Sequence, residues 1–223
     1  MNFNQEIFNT LIPLLHDKGL SKSLFTEHNG GLDFYKSDGE NDHRLTLDLV
    51  VEKRGFGNIY GRISFKTVID ILSKFEGLRP KVYEAVVVNY DLLSRKDYWF
   101  GVFKKLGGYS LNNKRDVEEF KLELLNHIEC DVLPFFEKYP DVQSVNDKMI
   151  NKLPQTEYSN YIPGETNFKV LIIMKLCKNS KYEEFKSWAL GAYRKGVELD
   201  AATYQEEYDA LVRLVDYLDN KVD

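Results

Sequence analysis

The sequence predicts an α+β protein with an N-terminal helix, a mostly antiparallel sheet of five or six strands and a helical C-terminal half. Alternating apolar and polar residues, the pattern of half-buried strands, occur before Gly107-Gly108. Apolar residues at helical spacing dominate after that glycine pair. Strands and helices that are separated along the chain in this way are typical of α+β proteins.

Composition indicates a globular chain with one domain, or one domain and an appendage. The 223 residues are 43% hydrophobic, 29% charged and 13% aromatic, and this aromatic share argues against disorder. Two cysteines are too few for a disulfide framework, so we expect a reducing, cytoplasmic environment. No signal-peptide pattern is present, and the most apolar run, residues 170–174, is too short to cross a bilayer. We therefore expect no membrane association.

The first elements are a helix over residues 4–17 and an antiparallel hairpin. The helix is predicted by apolar residues at helical spacing, which a lysine-glycine pair then terminates. In the hairpin, Asn29-Gly30 is the favoured pair for a two-residue turn. That turn places Phe25 opposite Phe34 as an aromatic cross-strand pair.

The clearest strand pattern is a hairpin over residues 43–66. Its apolar side chains have odd numbers and form one continuous face, which comprises Leu45, Leu47, Leu49, Val51, Ile59, Ile63 and Phe65. The other face carries Asp48, Tyr60 and Arg62, with Asp48 opposite Arg62 when paired numbers sum to 110. This polar and aromatic patch is a candidate binding surface. The alternative is an ordinary surface ion pair.

The remaining pattern predicts a short helix, two more strands and then helices only. The helix covers residues 67–75, and the strands cover residues 81–89 and 96–104. The later helices are predicted over 114–133, 141–151, 167–178, a segment that begins at Ser180, and 201–218. We expect a sheet domain over residues 1–155 and a three-helix extension over residues 156–223.

Net charge is −5, and it is concentrated at the C-terminal end. Residues 197–223 contain eight acidic and two basic residues, so this segment carries −6 and the rest of the chain +1. This balance disfavours nucleic-acid binding by a broad basic surface. Glu206, Glu207 and Asp209 lie in the acidic segment, which is suited to a basic protein partner. The alternative is a solvated helix face.

Motifs for catalysis, metals and cofactors are not found, and we expect no cofactor. The four histidines form no H-x-x-x-H pair, and no C-x-x-C occurs. His127 and Cys130 are three apart on one predicted helix, which makes an activated thiolate the sharpest enzymatic hypothesis. The alternative is that both residues only pack. A site assembled from Asp48, Arg62 and His43 is a second enzymatic hypothesis.

Residues 4–139 resemble small bacterial α+β domains found among polymorphic-toxin immunity proteins. The residues that carry the resemblance are Leu14-Leu15, Gly19-Leu20, Phe34-Tyr35, the Leu45–Val51 strand and Tyr98-Trp99. The resemblance implies a non-enzymatic protein that binds another protein. It transfers no binding residue to this chain.

These observations predict a protein-binding module without catalysis. An enzyme with a site on the polar sheet face is one alternative. A structural or oligomeric role, with the final helix as the interface, is the other.

Overall fold

The structure is a computed structural model. It describes residues 9, 12–20, 22–26, 31–50, 55–75, 88–90 and 114–222. Within these ranges the chain has mixed α+β character and is mostly helical. No described helix is both long enough and apolar enough to span a membrane.

The chain divides into two compact units, and each is assembled from two stretches. The first unit comprises Met1–Ile63 and Asn89–Lys138. The second comprises Ser64–Val88 and Tyr139–Asp223. This division differs from the sequence-predicted boundary after residue 155.

The first elements in chain order are one helical turn, four strands, a short helix and a last strand. They are α1 (residues 12–17), β1 (Lys22–Thr26), β2 (Gly31–Ser37), β3 (Asn41–Val50), β4 (Gly55–Phe65), α2 (Lys66–Leu72) and β5 (Val88–Tyr90). The part of the predicted N-terminal helix before residue 12 lies largely outside the described residues. The predicted strand over residues 96–104 lies wholly outside them.

The antiparallel register is established for three strands, β1, β2 and β3. Phe25 pairs with Leu32, and Phe34 pairs with both Ser23 and Leu45. The predicted opposition of Phe25 and Phe34 is therefore wrong by two residues. A slip of two keeps every side chain on the same face, so the apolar pattern does not distinguish the two registers.

The prediction of a five- or six-stranded sheet is also wrong. Residue-by-residue antiparallel pairing is established for three strands, β1, β2 and β3. The predicted strand over residues 81–89 is described only at its end, where β5 (Val88–Tyr90) begins. In the described chain, helices and not strands dominate.

The predicted burial of the odd-numbered face is confirmed where side chains are described. Leu45 and Ile63 are fully buried, and Phe65 is as well. Arg62 and Ser64, on the opposite parity, are partly exposed. Thr46 departs from the pattern because it is buried despite its even number.

His43 is a buried polar residue on the apolar face of β3. Its ring meets Phe136 edge-on with centroids 5.0 Å apart. Burial is the main cause that lowers the pKa of His43, and nearby Lys36 adds to the effect, while Asp38 opposes it. Within the described residues, the buried Nδ1 atom of His43 has no hydrogen-bond partner.

We expect acid to destabilise the fold through His43. Because its folded pKa is lowered, the folded state binds fewer protons than the unfolded state. The stability contribution is complete above the unfolded pKa of about 6.5 and is lost as the pH falls through the folded value. Each pKa unit between the folded and unfolded values of His43 changes the free energy of unfolding by about 1.4 kcal/mol.

Urea unfolding at a series of pH values between neutrality and pH 5 measures this effect. His43→Phe should reduce the fall in the free energy of unfolding as the pH is lowered. The matched change at exposed His16 should leave the pH dependence of wild type unchanged. A His43→Phe slope equal to that of wild type would contradict the assignment.

The later elements are helical, with three short non-α turns between them. They are α3 (Lys114–His127), a π-helical turn (Ile128–Val132), α4 (Leu133–Lys138), α5 (Val142–Val145), a second π-helical turn (Asn146–Ile150), a 3-10 turn (Gln155–Glu157), α6 (Tyr158–Tyr161), α7 (Thr166–Leu176), α8 (Tyr182–Leu199) and α9 (Ala201–Lys221). The stretch predicted as irregular near Tyr158 thus contains helical turns. The predicted start of α8 and both predicted bounds of α9 are correct within a few residues.

The helix near Pro134 continues where the sequence predicted a kink or an end. At the π-helical turn, the Leu133 amide bonds the carbonyl of Ile128, five residues back. Proline at the next position supplies no amide donor, and α4 resumes around it. A wider turn of this kind is a known way to accommodate a local break in the helical hydrogen bonds.

The core of the second unit is built around α7. Its apolar residues occur on all sides, as predicted, and Phe168, Val170, Leu171, Ile172 and Ile173 are fully buried. The helices α2, α5, α8 and α9 all pack against it. α7 is therefore the central helix of this unit.

Candidate protein-binding surface

The outward face of α9 carries a row of polar and charged side chains, here named the acidic row. The inward face is set by the fully buried residues Ala210, Leu211, Leu214 and Leu218. The acidic row lies on the exposed side of the helix and comprises Glu206, Asp209, Arg213, Asp216 and Asn220. All five are exposed.

The start of α9 is fixed by a side-chain cap. The carboxylate of Asp200 accepts hydrogen bonds from the Thr203 amide at 3.2 Å and from the Thr203 hydroxyl at 2.6 Å. Asp200 also ends α8, so the two helices meet at a single capping residue. Such a cap stabilises a helix by about 1 kcal/mol and determines where the acidic row begins.

The far end of α9 is anchored by Asp219. Its carboxylate accepts a hydrogen bond from the Tyr182 hydroxyl at 3.0 Å and one from the Lys186 ammonium at 2.9 Å, and Lys175 approaches to 3.9 Å. Burial on its own raises the pKa of Asp219, but the hydrogen bonds from Lys186 and Tyr182 outweigh it and the pKa is lowered. This contact fixes α9 against both α7 and α8.

The acids of the acidic row differ from Asp219 because lysines and arginines do not neutralise them. Among the described residues, Glu206, Glu207, Asp209 and Asp216 form no ion pair with a basic side chain. Asp209 accepts a hydrogen bond from Gln205 instead, and Asp216 accepts one from its helix neighbour Asn220. Arg213 offsets one of the row's three acids, so the row presents a net charge of −2 to solvent.

The three predicted acidic site residues lie on α9 but do not share one face. Glu206 and Asp209 belong to the acidic row, whereas Glu207 is half-buried toward the neighbouring helix and contributes to the raised pKa of Tyr193, which is caused mainly by burial. Adjacent helical residues point about 100° apart, which separates Glu206 from Glu207.

The predicted sheet patch is only partly described. Arg62 is half-buried on β4, and Asp48 pairs with Gly31 in the β2–β3 register. The side chains of Asp48 and Tyr60 lie outside the described residues. The Asp48–Arg62 pairing therefore stays a prediction.

The structure places a different aromatic–cation pair on this sheet. The guanidinium of Arg44 lies 4.5 Å from the centre of the Tyr35 ring, and the two residues are directly paired across β2 and β3. Contacts of this type contribute about 0.5–1 kcal/mol at exposed positions. The sequence analysis missed this pair because the pairing of β2 with β3 depends on a register that the apolar pattern does not fix to better than two residues.

The activated-thiolate hypothesis is not supported by the geometry at His127. The Nδ1 atom of His127 lies 3.0 Å from a carboxylate oxygen of Asp131, and both side chains are buried. Cys130 is exposed and its sulfur contacts Asn126 at 3.5 Å. The other thiol, Cys177, has its pKa raised to about 11 by burial, an environment that suppresses the reactive thiolate.

The second enzymatic hypothesis loses its histidine. His43 is 9% exposed and lies against Phe136, so its ring does not face solvent beside the polar sheet face. Among the described residues, no three histidine, cysteine, aspartate or glutamate side chains are grouped as metal ligands are.

Comparison with known proteins found no match to this chain among protein-family models, curated proteins or solved structures.

Proposed function

We propose that this protein is a non-catalytic protein-binding module that uses the acidic row of α9 to bind a basic protein. The observation that carries the proposal is a rigidly held helix whose exposed acids form no ion pair and outnumber the one base beside them, Arg213, three to one. Both ends of α9 are fixed, by Asp200 and by Asp219, so the row is presented without a cost for ordering the helix on binding.

Charge complementarity determines the kind of partner. Uncompensated acids on an exposed face raise the association rate with a basic surface, and this effect weakens as salt screens the charges. Val212 is 42% exposed beside the row, and it offers an apolar contact next to the charged ones. The partner surface that fits is therefore basic with a small apolar centre.

We further propose that the partner is a toxin domain and that the module acts in the cytoplasm. The first part rests on the resemblance of the N-terminal half to immunity-type proteins. The second is supported by Cys130 and Cys177, which are both free thiols. Co-expression with a candidate toxin tests the first part, because wild type should relieve growth arrest and the acidic-row variant described next should not.

A double charge reversal in the acidic row should weaken binding by about tenfold or more at low salt. The variant is Glu206→Lys with Asp209→Lys, and titration calorimetry against purified lysozyme, a basic protein, measures the effect. The matched control reverses two exposed acids elsewhere, Glu40→Lys with Asp70→Lys, which changes the net charge equally.

Raising the salt concentration should remove most of the difference between the two variants. Equal losses in both variants would show that only net charge matters and would contradict a role for the acidic row. Unchanged binding in the acidic-row variant would also contradict a role for the acidic row.

A further inference from the structure

One face of α8 is exposed although it carries a tryptophan. Trp188 is 45% exposed, and a Cβ atom added at Gly191 would meet nothing within 4 Å. Residues spaced alternately by three and four share this side of the helix, and they are Lys181, Glu184, Trp188, Gly191, Lys195 and Glu198. We name this set the α8 stripe. Apart from the half-buried Gly191, every member is exposed.

The charges of the α8 stripe are self-complementary. Lys181 and Glu184 lie on one side of the central tryptophan and glycine, and Lys195 and Glu198 lie on the other. An antiparallel copy presents the same charges in the opposite order. In an antiparallel copy centred between Trp188 and Gly191, Lys195 would face the partner's Glu184. Lys181 would likewise face the partner's Glu198. A twofold axis generates each of these pairs twice.

The shapes in the middle of the stripe are complementary as well. In the same antiparallel register, Trp188 lies over the partner's Gly191, where the space beside the helix is open. Alternating spacings of three and four are the pattern by which two helices pack side by side. The large ring of one copy thus fills the space that the other copy leaves empty.

We propose that the α8 stripe is a homodimer interface in which two copies of α8 pack antiparallel about a twofold axis. The occupant is a second copy of this chain because the stripe balances its own charges, with two basic and two acidic members. Among the described residues, these four form no ion pair within the chain. The acidic row lies on another helix, so this inference stands apart from the proposed function.

The interface is small, and this sets the expected affinity. From Lys181 to Glu198 the stripe spans about 26 Å of helix. A single helix pair of this length belongs with the small, reversible interfaces, so we expect a dissociation constant on the order of 10–100 µM. The dimer should therefore appear only at high protein concentration.

Sedimentation equilibrium of the full chain over about 5–500 µM tests the proposal. Wild type should shift from monomer to dimer across this range. Gly191→Gln should remain monomeric, because its side chain occupies the space taken by the partner's Trp188. A Cβ atom at this position meets no atom within 4 Å in the monomer, and glutamine has a higher helix propensity than glycine, so thermal unfolding should show a fold at least as stable as wild type.

Charge exchange gives an independent test of the antiparallel register. Glu184→Lys alone should weaken the dimer about tenfold because it faces the partner's Lys195. Glu184→Lys with Lys195→Glu should restore the wild-type constant. Glu137→Lys on α4, the same charge reversal at an exposed position off the stripe, should leave self-association unchanged.

A monomer at every concentration would overturn the proposal. A dimer that persists in Gly191→Gln would overturn it too, because another surface would then be responsible. Failure of the double exchange to restore the dimer would exclude the antiparallel register.

Discussion

Phe168→Ala should lower the free energy of unfolding by about 3–5 kcal/mol, the range measured for truncating a buried phenylalanine. Phe168 is fully buried on α7 and its ring meets Tyr193 of α8 edge-on, with centroids 5.8 Å apart. Truncation removes the apolar area that the ring buries and leaves a cavity between two helices. Chemical denaturation monitored by far-ultraviolet circular dichroism measures the change.

The matched control for Phe168→Ala is Leu199→Ala at the end of α8. Leu199 is 87% exposed, so its truncation should change stability by less than about 0.5 kcal/mol. A loss below about 1 kcal/mol for Phe168→Ala would mean that α7 is not the centre of its unit.

Asp131→Ala should destabilise the first unit by about 3 kcal/mol, because it removes a charged partner from a buried histidine. The His127 Nδ1 atom lies 3.0 Å from Asp131, and the two side chains are 0% and 6% exposed. The change leaves a polar ring atom in the interior without this acceptor. The position inside a π-helical turn leaves the backbone little freedom to compensate.

Asp131→Asn separates the hydrogen bond from the charge. Its amide oxygen still accepts from a ring N–H, so we expect less than half of the loss seen for Asp131→Ala. Hydrogen exchange of the amides in α3 and α4 should show the least protection in Asp131→Ala, more in Asp131→Asn and the most in wild type. Equal losses in the two variants would contradict a hydrogen-bonding role for the carboxylate.

Much of the helical half could be predicted because its signals are local. The apolar residues around α7 indicate burial on all sides, and they are buried. Aspartate is a favoured N-cap residue, which predicts that Asp141 caps the helix over 141–151, and its carboxylate accepts a hydrogen bond from the Ser144 amide at 2.6 Å. The short helix α2 was also predicted, and its Val68 and Ile71 are buried as expected.

Register and rotation were predicted less well, because they depend on a second element. The predicted pairing of β1 with β2 differs from the observed one by two residues, and both agree with the apolar pattern. On α9 the spacing of apolar residues predicts a seam through Tyr204, Tyr208, Leu211, Val215 and Leu218. Leu211 and Leu218 are fully buried as predicted, but Tyr204 is 40% exposed. Ala210 and Leu214 are fully buried instead, so the contact face is rotated. Small residues such as alanine mark a close helix contact only when the neighbouring helix is known.

The candidate site, like the fold, could be predicted from the sequence only in part. The sequence showed that the acids of the last helix are in excess, but it did not separate Asp219 from Glu206. Asp219 meets Tyr182 and Lys186, residues more than 30 positions away in the chain, and such contacts leave no periodic trace. Which acids are neutralised is therefore a property of the packed helices.

The interleaved division of the chain also has a consequence for synthesis on the ribosome. The residues of the first unit are complete once Lys138 has been made, whereas α2 must await α7, against which it packs. Until about a hundred further residues emerge, the apolar side of α2 has no cover, and a nascent chain in that state is prone to aggregate. A gene fragment that stops at residue 155 would make this exposure permanent.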